Sequence, residues 1–568
     1  MSLVTGSVYI DSLVSTSWNS TAGHPVSLTY SFLSAAPTDY AAKDVTGFKA
    51  MNAVQVAGVK TALATWSAVA NVSFTQVDSG GQIEFGTSSQ DDSGAFAYRP
   101  DGHGSTLYVF SDNGTKQNFD MTAGNYGLST LIHEIGHTLG LKHPGDYGAG
   151  TGTTVGPFLP TDYENRDYSI MSYKDGAGFE WSNLYDATPM LLDIQAMQYL
   201  YGANLSYHTG NDTYRFTNNS AAQCIWDAGG ADTFDFSQCN QRVLINLREG
   251  GFSSTEPAYL NISIAFDVNI EKAIAGSGGS YMFANNNGNI LVGGAGTDII
   301  YEGGGNDTIS GDGGDTVVFY GDLAEFTLSG TKSLLTVKGD GTDTVSGIST
   351  LEFDDRTISL SSFSALQAGT AARDSFTAVG GSELVTGGAG IDTDKFSGKR
   401  ADYTIKADGG DFKVTDNVGA GGTDLLSGVE RLRFSDVSGV ALDIDGAAGQ
   451  TYRLYQAAFN RKPDAGGVGF WLNELDNGLT LVKMAQFFLD SPESVRTYGA
   501  LDNTAFVNLM YANVLHRAPD ADGLKFYLDG FTNGNTRAQV LQGFSESPEN
   551  QAALIGSITN GVDYLPVA

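Results

Sequence analysis

Basic residues, cysteine and long apolar runs are all scarce in this chain of 568 residues. Lysine and arginine total 31 against 64 acidic residues, a net charge of −33. A phosphate backbone would be repelled by that balance, which excludes nucleic acid as a partner. No stretch of about 18 apolar residues occurs, so no membrane-spanning helix is expected. The first basic residue is Lys43, and no continuous apolar segment precedes it. A Sec-type signal peptide is therefore not expected. The two cysteines, Cys224 and Cys239, flank IWDAGGADTFDFSQ. They leave two readings open, one disulfide outside the cell or two buried thiols. The length exceeds what one core sustains and predicts three or four domains. The acidic excess has a bland reading, solubility. It has a sharper one, multivalent cation binding, which requires carboxylates in ligand patterns.

Histidine is also rare, yet three of the seven fall within HEIGHTLGLKH, residues 133–143. His133 and His137 are four apart, so on a helix they project from one face. Leu131, Ile132, Ile135 and Leu139 recur at helical spacing and predict a helix over 129–139. Gly140 stands where such a helix stops, because glycine takes the left-handed conformation without strain. The chain can then return His143 toward the other two. Three neutral imidazoles on one point make an open tetrahedral zinc site with a position left for water. Zinc brings that water's pKa near neutrality, and Glu134 is placed to act as general base. His24, His103, His208 and His516 have no partner at ligand spacing and are read as surface or core residues.

HExxHxxGxxH is the metzincin signature. YSIMSY at 168–173 resembles the methionine turn that follows it in that family, with Met171 as the apolar floor of the site. HEIGHTLGLKHPGDYG with SIMSY resembles the serralysin branch, calcium-dependent secreted metalloproteases of bacteria, with Pro144 after the third histidine. The resemblance implies that Tyr173 approaches zinc at rest and then stabilises the oxyanion. VYIDSLVSTSWNS and VSLTYSFL are similar to the family's first segments. VKTALATWSAVANVSF (59–74) reads as a helix entering a strand, and LDIQAMQYLYGAN (192–204) resembles the family's closing helix. GAFAYRP (94–100) falls where the family has an edge strand, so Ala95, Phe96, Ala97 and Tyr98 are expected to pair with an extended peptide substrate. A short N-terminal prosegment is allowed for, but no thiolate latch of the matrixin type is present.

Many of the 73 glycines follow a register of nine. GGAGTDIIY (293–301) and EGGGNDTIS (302–310) match the calcium-binding β-roll pattern of RTX proteins. AGSGGSYMF (275–283) and ANNNGNILV (284–292) keep the register in degraded form. GDGGDTVVF (311–319) has its aspartate one place early, at Asp315, and GGAGIDTDK recurs at 387–395. Glycines in the turn expose carbonyl oxygens, and the aspartate adds a carboxylate. Ile300 and Ile309 should point into the roll, whose turns must stack to bury anything. Gly294, Gly296, Asp298, Gly303, Gly305, Asp307 and Asp315 are the expected calcium ligands. WDAGGADTFDFS (226–237) and IEKAIAGSGG (270–279) resemble the serralysin segments that open the roll, which adds Asp227, Gly229, Asp232 and Glu271. Extracellular calcium modules bind at about 10⁻⁴ to 10⁻³ M, so the roll should fold only outside the cell. The resemblance implies type I export without an N-terminal signal, with GVDYLPVA at the end as a contributor to recognition.

FYGDLAEFTL with TDTVSGISTLEFDD (319–355) answers to FSGKRADYTI with TDLLSGVERLRFSD (396–436), and both alternate as strands do. From 447 the pattern turns helical. YQAAFNRKPDAGGVGFWL from 455 returns as YANVLHRAPDADGLKFYL from 511. Asp464 and Asp520 are read as helix caps rather than ion ligands. The unit resembles a domain of unknown function found on secreted and surface-layer-associated bacterial proteins.

The expected architecture is multidomain: an α+β metzincin zinc-protease domain (1–205), a parallel RTX β-roll (206–330), a β-rich extension with one further RTX-like repeat (331–446), and an α-helical domain of two repeats (447–568). The expected function is a calcium-stabilised zinc endopeptidase acting on proteins or peptides. The rival is a surface- or matrix-binding protein whose protease domain acts on a surface-layer partner or is a relic. A relic commonly loses its glutamate or a ligand, and here every position is present.

Overall fold

Asn52 opens the first long helix. Its side chain accepts from the Val54 and Gln55 amides while the Gln55 side chain accepts from the Asn52 amide, so the free donors of the first turn are satisfied reciprocally. The computed structural model describes residues 4–38, 45–91, 93–100, 106–147, 156–176, 184–257 and 259–567. His103 lies outside them. The chain divides into two units, Met1–Val318 and Phe319–Ala568. Among the described residues no helix is long and apolar enough to cross a membrane.

The first unit begins with a single turn, α1 (Val8–Asp11), and then alternates strands with helices: β1 (Val26–Phe32), α2 (Ala53–Val69), β2 (Val72–Gln76), β3 (Ile83–Ser88), β4 (Ala95–Ala97), β5 (Leu107–Asp112), α3 (Tyr126–Thr138) and α4 (Leu191–Tyr201). The sheet order is β2-β1-β3-β5-β4. All neighbours are parallel except β4, which runs antiparallel to β5 at the edge. Parallel strands covered on both faces read as unbroken apolar runs, and Ile83, Phe85, Val109 and Phe110 are fully buried accordingly. Helix α2 turns Val59, Ala62, Leu63 and Trp66 inward. The Trp66 indole N–H donates to the Ile132 carbonyl at 3.0 Å, which fixes α3 against α2.

After residue 205 the same unit becomes a roll. Short parallel strands stack into two faces, joined at one end by the long strand Thr308–Val318, whose first residues pair with one face and last with the other. The segment GDGGDTVVF is thus largely the crossing strand and not another turn of the nine-residue kind. Phe234, Ala273, Leu291 and Ile309 form one interior column, and Ile245, Met282, Ile300 and Val317 the other. All eight are fully buried. Each of these side chains larger than alanine contributes about 1.5–3 kcal/mol, realised only when neighbouring coils stack. Cys224 and Cys239 are buried free thiols, which closes the disulfide alternative within this structure.

The second unit has a strand meander, a second and shorter set of stacked parallel strands, and eight helices from Ala447 to Ile558. The helical repeat is exact in its joints. Asn460 and His516 both close a helix with positive φ, at 48° and 51°. The next residues, Arg461 and Arg517, pair with Glu493 and Glu549. Asp464 and Asp520 cap the following helices by accepting from Gly467 and Gly523. The strand Val562–Tyr564 pairs with Gly439–Ala441, so GVDYLPVA is in part a structural strand.

Candidate metal centre

Helix α3 carries His133, Glu134 and His137, and starts three residues before the sequence reading placed it. It ends at Thr138, and the chain turns at Gly140 with φ +107°. A Cβ at Gly140 would lie 2.1 Å from the Thr16 carbonyl. The N-terminal segment lies there as a clamp: the Ser15 and Thr16 amides donate to the Gly140 carbonyl, and the Lys142 amide donates to Leu13. Residues from Leu13 onward are therefore built into the site. The turn returns His143 so that its Nε2 lies 3.2 Å from that of His133 and 3.0 Å from that of His137.

The other ring nitrogens fix the tautomers. His133 Nδ1–H donates to the Ile170 carbonyl at 2.8 Å and His137 Nδ1–H to Leu141 at 2.9 Å. The Nε2 lone pairs then face one another with no donor between them. Burial holds all three imidazoles neutral, with His133 pushed down to about 4, His143 to about 3 and His137 well below the usual range. Neutral imidazoles at this separation fit zinc, because Zn–N bonds of 2.0–2.1 Å make tetrahedral edges of about 3.3 Å. They are also the first of two metal-compatible groups among the described residues.

Glu134 is buried beside them, and burial pushes its carboxyl up to about 8. A dication nearby would draw that value back down. Tyr173 stacks at 5.8 Å on the His133 ring and lies 4.4 Å from that of His143. Burial, then Glu134, pushes its phenol up to about 12, so it keeps its proton and remains a donor. Met171 is fully buried beneath the helix. A Cβ at Gly136 would come within 2.8 Å of the Met171 sulfur and 3.0 Å of the Trp66 ring. Gly136→Ala should therefore displace the floor at a cost of about 1–3 kcal/mol. The expected result is a melting temperature lower by several degrees and weaker zinc retention on dialysis; an unchanged melting curve would refute it.

Sequence reasoning missed Asp193. Its fully buried carboxylate accepts from Ser169 Oγ at 2.6 Å, the Ile170 amide at 2.7 Å and the Met190 amide at 2.9 Å. It holds the segment whose carbonyl orients His133. An aspartate in the first turn of a helix was the available signal. Asp186 is buried nearby, with Oδ2 lacking a hydrogen-bond partner. Burial pushes its carboxyl up to about 8, opposed by Arg166. The folded state then holds this proton more tightly than the unfolded chain, whose aspartate titrates near about 4, so stability falls as pH rises between those values. In melting scans at fixed metal, Asp186→Asn should exceed the wild type at pH 8 and lose that advantage by pH 5. A difference independent of pH would reject this account.

A cleft of about 260 Å³ opens beside the histidines, lined by Gly94, Ala95, His133, Glu134, Arg166 and Tyr173. Strand β4, Ala95–Ala97, borders it, and among the described residues no strand pairs with its outer edge. Phe96 packs on Phe110 at 5.5 Å, and Tyr98 just beyond the strand is exposed.

The roll gathers the other predicted residues into ladders. Asp232 Oδ1 accepts from the Asp212 amide at 2.8 Å, and Glu271 accepts from the Asp232 amide at 2.5 Å. Asp307 accepts from the Asn289 amide at 2.6 Å, and Asp315 from the Asp298 amide at 2.8 Å. Asp232 Oδ2 and Asp298 Oδ2 are buried without a hydrogen-bond partner. Glycine is required in the turns by close approach: a Cβ at Gly294 would lie 1.8 Å from the Gly276 carbonyl, at Gly303 2.2 Å from that of Asn285, at Gly296 2.1 Å from the Gly279 amide nitrogen and at Gly305 2.7 Å from that of Gly288. Gly229 donates its amide to Asp227 at 2.9 Å. His208 corrects the sequence reading, which gave it no partner. Its Nδ1 lies 3.3 Å from Asp212 Oδ2, and His208, Asp212 and Asp227 form the second metal-compatible group. His24 and His516 are exposed.

Comparison with known proteins bears on these two sites. Residues 24–150 match a family model described as Matrixin, and 191–371 match Peptidase M10 serralysin C terminal. Residues 451–493 and 485–554 match a domain of unknown function, DUF4214. The chain is 38% identical over 293 residues to metallopeptidase AprA of Pseudomonas marginalis, covering 47% of this chain and 61% of that one. It is 41% identical over 298 residues to serralysin A of Dickeya chrysanthemi, covering 46% and 60%. It is 38% identical over 316 residues to serralysin of Proteus mirabilis, covering 48% and 63%. The chain thus spans about three fifths of the length of the curated relatives it matches. With the three histidines, the methionine turn and the stacked roll in place, residues 24–150 and 191–371 are similar to the two segments of the serralysin-type metzincins, and a DUF4214 region follows them in the chain.

Proposed function

We propose that this protein is a secreted, calcium-stabilised zinc endopeptidase. The observation that carries the reading is the convergence of three Nε2 lone pairs beside Glu134 and Tyr173, in a cleft bordered by an unpaired strand edge. Zinc, held by His133, His137 and His143, supplies Lewis-acid polarisation and a lower pKa for water. An extended substrate pairs its backbone with β4, at Ala95, Phe96 and Ala97, and Tyr98 contacts its side chains. Glu134 takes the proton of the attacking water and returns it to the leaving amine. Tyr173 donates its phenol to the developing oxyanion. Calcium in the roll is held by Asp227, Asp232, Glu271, Asp298, Asp307 and Asp315 with the carbonyls of the turn glycines. Acidic turns that need millimolar calcium support folding after export.

The test is incubation of an unfolded protein with the zinc- and calcium-loaded chain, with products read by mass spectrometry. Internal cleavage is expected; a folded, zinc-loaded chain that leaves the substrate intact would overturn the reading. Tyr173→Phe should lower kcat by about 10²-fold with KM little changed, as loss of one oxyanion donor does. An unaltered kcat would remove Tyr173 from the mechanism.

A further inference from the structure

The second unit contains stacked parallel strands that repeat the ladder of the first roll. Ala365–Ala368, Glu383–Thr386 and Thr423–Ser427 make one face. Ser375–Thr377, Thr393–Lys395 and Arg431–Arg433 make the other. On one rim the Asp374 amide donates to Asp392 Oδ1 at 2.7 Å, and the Asp392 amide donates to Glu430 Oε2 at 2.7 Å. This is the same order of bonds as Asp212, Asp232 and Glu271 make in the first unit. The likeness extends to the free oxygen. Asp392 is fully buried, and its Oδ2 has no hydrogen-bond partner, as with Asp232 Oδ2.

The turn backbone crowds the same place. A Cβ at Gly387 would lie 1.8 Å from the Gly428 carbonyl oxygen and 2.7 Å from Asp392 Oδ2. A Cβ at Gly369 would lie 2.0 Å from the Gly387 carbonyl oxygen and 2.9 Å from Asp374 Oδ2. Carbonyl and carboxylate oxygens therefore converge beneath residues that only glycine can supply. No ion pair reaches Asp374, Asp392 or Glu430 among the described residues. A buried carboxylate oxygen with neither a donor nor a cation is costly.

We propose that residues 365–433 form a second calcium-binding roll, with Asp392 Oδ2 as its anchoring ligand and Asp374, Glu430 and the carbonyls of Gly387 and Gly428 around it. An all-oxygen set with backbone carbonyls suits calcium, which accepts irregular geometry, over magnesium or zinc. The site lies beyond the residues that match the serralysin C-terminal family. It does not depend on proteolysis.

Hydrogen–deuterium exchange of the full chain tests it, with calcium at millimolar concentration and with magnesium as control. Calcium should slow exchange in 369–395 and 423–433 about tenfold, as expected for a site about ten times above its Kd. Asp392→Asn keeps the acceptor for the Asp374 amide, so it should fold and yet lose this protection, while 290–315 stays protected. Glu430→Gln should weaken the protection in the same segments. Calcium protection confined to 290–315 in the wild type would overturn the second roll and leave the first intact. Full protection in Asp392→Asn would overturn the assignment of the anchor.

Discussion

Glu134→Ala should lower kcat/KM on an unfolded protein by about 10³-fold or more while the chain keeps its zinc. Among the described residues, this carboxylate is the only one lining the cleft beside the histidines. General-base assistance is worth about 10²–10⁴-fold, and no neighbouring group can replace it. Tyr173 holds its proton, and the histidines face one another. The side chain is buried but makes no hydrogen bond among the described residues, so the fold should survive its removal. Metal analysis and melting curves check that the variant differs from the wild type in turnover alone. Residual activity within a few-fold of the wild type would exclude Glu134 as the base.

Removing calcium should unfold the roll of the first unit. Asp212, Asp227 and Asp232 gather at its opening, with Glu271 one bond further along the ladder. Two carboxylates about 5 Å apart repel by about 3 kcal/mol at an effective dielectric of 20. Several such pairs exceed what two columns of four aliphatic or aromatic residues can hold against conformational entropy. With excess chelator, far-ultraviolet circular dichroism should lose β-signal, and exchange over 208–315 should accelerate by several orders of magnitude. Restored calcium should reverse both changes. Spectra that coincide with and without calcium would mean that packing alone sustains the roll.

The zinc site was legible because its information is local. His133, Glu134, His137 and His143 lie within one helix and one turn, and Gly140 announces that turn. What supports the site was not legible, because it comes from far along the chain. Leu13 to Thr16 bind the His143 loop across more than a hundred residues, and Asp193 reaches back to Ile170. Neither leaves a spacing that a reader of one sequence can detect. The first roll was legible for the opposite reason: its coils repeat without interruption, so aspartate and aliphatic positions recur in step. The second was visible only as GGAGIDTDK. The hairpin Tyr403–Asp416 sits between two of its coils, stretching the ladder interval from 18 residues (Asp374 to Asp392) to 38 (Asp392 to Glu430). His208 was passed over because its partners come from loops, which carry no periodicity.

A coil of fixed length also bears on how such a chain can change by descent. In the first roll Ser280 meets Asp298 and Asn289 meets Asp307, each 18 residues on. A duplication or deletion of 18 residues returns every side chain to the face it left. One of nine exchanges the two faces, and one that is not a multiple of nine, placed within a strand, takes the apolar columns out of step. Recombination within the roll is thus filtered by length before any substitution is weighed. The inserted hairpin of the second unit shows the other permitted route, in which extra residues leave between two strands and return to the register they left.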